Sequence, residues 1–109
     1  MIEEDQWITA LKALADRSRL RIVRTLLDHA LTVNDLSERL SISQYNVSKH
    51  LRILREAGLV EATKMANRRE YAITSQLRGH SSGSAVLDLG CLTFHFDEMP
   101  AVSQEKVAA

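Results

Sequence analysis

A single thiol, Cys91, is all the cysteine in this 109-residue chain, so no intrachain disulfide can staple it. Apolar runs of membrane-spanning length are missing, and residues 1–7 have neither the basic end nor the apolar stretch of a secretory signal. Together these absences predict a soluble cytoplasmic chain with no membrane partner. Also missing are a glycine-rich phosphate loop, a Ser/His/Asp set and an open metal triad, while Asp35, Asp88 and Asp97 have no evident acid–base partner. An enzyme is therefore not expected. His29 and His50 read as surface or helix-packing residues rather than ligands.

Net charge is lacking too, since 14 basic residues balance 14 acidic ones. The average conceals an asymmetry. Between residues 39 and 78, Arg39, Lys49, Arg52, Arg55, Lys64, Arg68, Arg69 and Arg78 stand against only Glu56, Glu61 and Glu70, a net +5 that the rest of the chain cancels. A basic middle between acidic ends makes one positive face on a neutral protein, enough to grip phosphates without indiscriminate adhesion. With 45% hydrophobic residues, a chain of this length forms one domain with a single modest core.

The basic middle centres on an amphipathic stretch. At 100° per residue Val47, Leu51 and Leu54 share one stripe, while Tyr45, Lys49 and Arg52 fall opposite. Ser43 suits the N-cap and Gly58 the left-handed residue past the end. The outward face offers amides, a hydroxyl and cations, with no acid before Glu56, as reading base edges requires. Upstream, Trp7, Leu11 and Leu14, with Ile8 and Ala15 alongside, give a first helix a greasy edge that either packs internally or pairs with its copy in a dimer. Asp16 or Ser18 can cap a second helix, with Leu20, Val23, Leu26 and Leu27 inward and Arg17, Arg19, Arg21 and Arg24 on a solvated face. Thr32 and Asp35 have the spacing of a capping box, opening a two-turn helix that buries Val33, Leu36 and Leu40. Residues 41–43 leave room only for a tight turn plugged by Ile42, which makes the two helices flanking it a helix-turn-helix.

After Gly58 the period changes. Residues 59–65 and 70–74 are strand-like and flank residues 66–69, where Asn67 tolerates a positive φ, predicting a hairpin whose tip carries Lys64, Asn67, Arg68 and Arg69. Such a tip is placed to touch the backbone or the minor groove beside a recognition helix. Residues 79–84 read as a Gly/Ser linker, residues 85–96 as an apolar strand or short helix, and the end beyond Pro100 as frayed. A helix would bring Asp88, Cys91 and His95 together; a strand would set Cys91 and His95 on one side, ~13 Å apart. Gly90, Thr93 and the two phenylalanines favour the strand.

Three stretches, residues 11–22, residues 43–51 and Leu54-Arg55-Glu56-Ala57-Gly58-Leu59-Val60, resemble in order and spacing the signatures of the ArsR-type winged helix-turn-helix regulators. The resemblance spans roughly residues 5 to 75. It implies a mainly α winged helix-turn-helix with a β-hairpin wing, residues 1–78 forming the DNA-binding domain; residues 79–109 are then a tail of linker, apolar strand or short helix, and frayed end. It also implies a homodimeric repressor on a palindromic double-stranded DNA operator, bound through the fourth helix and wing and released by an inducer. Carried over by position, the base-reading residues are Gln44, Tyr45, Ser48 and Lys49; Asn46 and Arg52 on the helix and Lys64, Asn67, Arg68 and Arg69 on the wing complete the expected DNA contacts.

The departures concern sensing. Where arsenic- and cadmium-sensing members have Cys-Val-Cys-Asp-Leu, this chain has Thr32, Val33, Asn34, Asp35 and Leu36, with no thiolate for a soft metal. A second family site lies on a long C-terminal helix, which residues 79–84 interrupt. Residues 87–91 resemble the tail of members with a second cysteine where Leu92 stands. A dimer joined through Trp7, Ile8, Leu11 and the tail would gather Cys91 and His95 from both protomers as a metal site or an oxidisable thiol pair, if Cys91 is not simply a buried core residue. The alternative to DNA binding is a winged-helix protein-interaction module, which Gln44, Ser48, Lys49 and the basic wing tip argue against.

Overall fold

The computed structural model describes residues 4–78, 85–90 and 93–98. Four helices come first, α1 (Glu4–Leu14), α2 (Arg17–Asp28), α3 (Val33–Leu40) and α4 (Gln44–Glu56), followed by the hairpin β1 (Val60–Met65) and β2 (Arg68–Ile73). A 3-10 turn at Ser75–Leu77 leads to a second hairpin, β3 (Val86–Asp88) and β4 (Thr93–His95), and a last 3-10 turn at Phe96–Glu98. This is a winged helix-turn-helix with an added C-terminal hairpin. No helix among the described residues is long and apolar enough to cross a membrane.

The starts of α2, α3 and α4 follow from their capping residues. Asp16 accepts the Arg19 N–H at 3.0 Å, and Ser43 Oγ accepts the Asn46 N–H at 3.1 Å. At α3 the capping box is complete: Thr32 Oγ1 accepts the Asp35 N–H at 3.1 Å and the Asp35 carboxylate accepts the Thr32 N–H at 3.2 Å. The Thr32 backbone N–H, seconded by the Thr32 side-chain hydroxyl, holds the Asp35 carboxyl below its ordinary value.

The helix ends depend on arginines that the sequence reading left on a solvated face or counted towards the basic middle. Arg19 Nε donates to the Ala13 carbonyl at the end of α1, and Arg21 donates to Leu40 O at the end of α3, 2.9 Å away. Arg78 grips the end of α2 through Leu27 O at 2.8 Å and Leu26 O at 3.3 Å. A guanidinium satisfies orphan carbonyls and opposes the negative end of the helix dipole at once, which explains why three cations point inward. α4 ends differently. Gly58 takes φ +81°, its N–H bonds Arg55 O, and the Leu59 N–H bonds Leu54 O, the paired bonds of a Schellman motif, closed by buried Leu54 and Leu59.

One core joins all the helices to the wing and the tail. Leu26, Leu36, Val47, Leu51, Leu54 and Leu59 are buried in it with Ile73 from the wing and Leu87, Leu89 and Phe96 from the tail. On α1 the buried residues are Ala10, Ala13 and Leu14, so of the expected greasy edge only Leu14 is inside; Trp7 and Leu11 are half-buried, and Ile8 is 38% exposed. The two alanines let the helix lie close, and that tilts the larger side chains outward. On α2, Ile22 takes the buried place expected of Leu20, which is half-buried, as is Val33 on α3.

The turn between α3 and α4 is held by Ser37, whose hydroxyl donates to Ile42 O at 2.6 Å while its carbonyl accepts the Ile42 N–H. Ser41 is left-handed there, at φ 57° and ψ 44°. At the wing the two-residue turn is Ala66-Asn67, and the positive φ falls on Ala66, not on Asn67 as the sequence suggested. A positive φ at the first central residue alone is the pattern of a II′ hairpin turn, which matches the twist of the strands. Of residues 85–96, those described form two short antiparallel strands rather than a helix, and Gly90 after β3 takes φ +88°. The expected linker at residues 79–84 and the expected frayed end beyond Pro100 lie outside the described residues.

Candidate nucleic-acid interface

Because α4 buries Val47, Leu51 and Leu54, its opposite face is fixed outward. Tyr45, 73% exposed, carries the Lys49 ammonium 5.7 Å from its ring centroid, a cation–π contact that holds the two side chains together. Gln44 is held as well: its Nε2 donates to Asn34 Oδ1 on α3 at 2.8 Å, a bond across the helix-turn-helix that sequence reasoning missed. One N–H and Oε1 of the amide stay open. Asn46 and Ser48 are exposed, and Arg52 makes an exposed 3.7 Å pair with Glu56 one turn on.

The wing sorts its residues by face. Strand register pairs Val60 with Ile73, Ala62 with Tyr71 and Lys64 with Arg69, and cross-strand partners share a face, so Lys64 and Arg69 lie on the side that buries Val60 and Ile73. Arg68 lies on the other face opposite Met65, and its guanidinium is tied to Glu70 at 3.0 Å. Asn67 is at the turn. Tyr71 is further anchored by two backbone bonds to Leu31, 2.8 and 3.0 Å, an isolated antiparallel bridge beside β2.

Between α4 and the wing runs an open cleft of 440 Å³. Tyr45, Ser48, Lys49, Arg52 and Arg55 form its helix side, and Arg69 and Tyr71 its wing side. Arg55 and Tyr71 were not among the expected contacts. The i, i+3, i+4, i+7 spacing of the outward stripe, continued one turn, reaches Arg55, and the alternation that places Arg69 also places Tyr71. Among the described residues no carboxylate lines the cleft. Its cations, Lys49, Arg52, Arg55 and Arg69, suit it to bind a polyanion.

Residues 16–62 match the bacterial regulatory protein family arsR. The reduced form of HlyU from Vibrio cholerae superposes with a TM-score of 0.60 at 42% identity, covering 63% of this chain and 73% of that one. The homodimeric winged helix-turn-helix DNA-binding domain Mb0332 from Mycobacterium bovis superposes at 0.64 with 30% identity, covering 66% and 67%. The chain belongs to the ArsR family. In sequence it is 44% identical over 68 residues to the transcriptional activator HlyU of Vibrio cholerae, and it spans just under two thirds, 63%, of that relative's length. As a member of the ArsR family the chain carries the winged helix-turn-helix fold of its relatives, which are named as transcriptional regulators.

Within this ArsR chain the α3 position does not fit a soft metal. Thr32 is occupied in its cap and Asn34 accepts from Gln44, and both offer oxygen rather than sulfur. Among the described residues no three His, Cys, Asp or Glu side chains gather to hold an ion. His95 stands exposed on β4 in register with Val86, while Cys91 lies outside the described residues. His50 is half-buried on α4, its Nδ1 3.2 Å from Arg19 Nη1. Burial holds its imidazole below the ordinary value of 6.5, opposed by Asp16 and reinforced by Arg19 and Lys49.

Proposed function

We propose that this chain is a homodimeric, sequence-specific repressor that binds a palindromic DNA operator and leaves it when an inducer binds. The observation that carries the reading is the acid-free cleft, with cations on α4 and the wing facing one another across it. Gln44, Tyr45, Asn46, Ser48 and Lys49 take the base edges. Arg52, Lys64, Asn67 and Arg69 take the backbone, with Arg68 a weaker contributor because Glu70 already neutralises it. Residues 1–78 are the DNA-binding part, and the tail is the part through which an inducer acts, since its strands close on the same core as α4.

The homodimer of Mb0332 supports a two-fold assembly, and the outward Trp7, Ile8 and Leu11 of α1 supply an apolar surface for it. One recognition helix covers a few base pairs, so useful specificity needs two, about one helical turn apart. Selection of bound duplexes from a random pool, followed by titration against salt, tests the function. A palindromic consensus bound with a steeply negative salt slope is expected. Absence of enrichment and of salt dependence would instead leave a protein-docking module. A reporter behind the selected site then separates repression from the activation for which HlyU is named.

A further inference from the structure

With α4 in a major groove and the wing reaching the adjacent minor groove, the sugar–phosphate strand that divides the two grooves has to cross the space between α4 and the wing. In this protein that space is the 440 Å³ cleft, and its chemistry suits such a strand. Arg55 enters it from the last turn of α4, Arg69 faces it from the wing, and Tyr71 forms the wall behind. Arg52, also lining it, is partly engaged by Glu56, whereas neither Arg55 nor Arg69 is paired with a carboxylate of the described residues. The Tyr71 hydroxyl makes no hydrogen bond among the described residues, while the residue is half-buried and its backbone N–H and carbonyl are both bonded to Leu31.

We propose that this cleft is a phosphate clamp in which Arg55, Arg69 and the Tyr71 hydroxyl hold the backbone of the dividing strand. The clamp rests on the DNA-binding reading and adds two residues to it, Arg55 and Tyr71. A guanidinium and a phenol contribute differently. Neutralising a phosphate with Arg55 releases a counterion; a neutral hydroxyl donating to the same oxygens releases none. The clamp reads no base, so it acts equally on any sequence.

That difference defines the experiment: binding of the full chain to a duplex of unrelated sequence, about three helical turns long, followed by fluorescence anisotropy across a salt series. Arg55→Ala is expected to reduce the slope of log affinity against log salt by about 0.9 per bound protomer. Tyr71→Phe, which keeps the ring and every backbone bond, is expected to weaken binding about tenfold with the slope unchanged. Wild-type protein that fails to bind duplex DNA at low salt would overturn the DNA-binding reading and the clamp with it. Wild-type protein that binds, with an unchanged slope for Arg55→Ala or unchanged affinity for Tyr71→Phe, would overturn the clamp and leave the DNA-binding reading standing.

Discussion

Arginine has two occupations in this protein, and a single substitution tells them apart. Arg78 falls within the basic middle, yet its guanidinium is spent on the carbonyls that end α2. Replacing it by methionine keeps the aliphatic stem and leaves two half-buried carbonyls without a donor, so Arg78→Met should cost about 2 kcal/mol in chemical denaturation while leaving the salt slope for DNA intact. A reduced salt slope with unchanged stability would move Arg78 to the DNA face. His50 supplies a pH dependence. Its folded pKa is lowered, so the unfolded chain binds the proton first as pH falls through 6.5, and stability drops from there downward; above 6.5 the ring is neutral in both states and contributes nothing. His50→Asn keeps an acceptor for Arg19 and cannot titrate. Its denaturation midpoint should therefore rise relative to wild type between pH 7.5 and 5.5, and parallel curves would mean that the ring does not report burial.

The ends of the elements show why part of the structure was legible and part was not. Ser43, Gly58 and the Thr32–Asp35 pair act on neighbours within three or four residues, so their roles are visible in a linear chain. Arg21 capping Leu40, Arg78 capping Leu27 and Asn34 holding Gln44 join residues separated by ten positions or more, and no local pattern encodes them. The same boundary divides the wing: alternation predicted two strands, but the positive φ moved from Asn67 to Ala66 because hairpin register, set by pairing along the whole ladder, decides which residue turns. Gly58 gives the clearest test at this scale. A Cβ built there meets nothing within 4 Å, so Gly58→Ala carries only the strain of a positive φ, about 1 kcal/mol, or some 5 °C in melting temperature. A neutral result would show that the end of α4 relaxes. In the wing, Arg69→Ala should weaken DNA binding more than Arg68→Ala, since Arg68 is already paired with Glu70. Equal losses would contradict the division of the hairpin into two faces.

For the whole molecule the question is what covers α1. Two small residues, Ala10 and Ala13, lie inside, and the larger Trp7, Ile8 and Leu11 are left at least partly exposed, the face on which we place the contact with a second copy. Sedimentation should therefore show a dimer at micromolar concentration, and Ile8→Glu together with Leu11→Glu should yield monomers whose operator affinity falls at least a hundredfold, with helical content retained. Monomeric wild-type protein with full affinity would remove the two-fold assembly. The fold and the position of the reading helix were visible in the sequence because they follow from periodicity and caps. The path of the tail was not, because a short apolar run reads alike as strand or helix, and neither reading showed that the described residues form two strands with Gly90 at φ +88°.

Arg78 is also where the tail is fastened to everything else. Its backbone bridges Leu87 of the second hairpin, its side chain holds the end of α2, and four residues earlier Thr74 is bonded to Gly58 and Leu59 at the foot of α4. A load applied to the tail thus passes through the shared core and also along this short strut to the foot of α4. Pulled from its C-terminus, the molecule should yield in a single step in which the tail hairpin and the wing root let go together, and an inducer that displaces the tail by a small amount would tilt α4 as a lever tilts about its fulcrum.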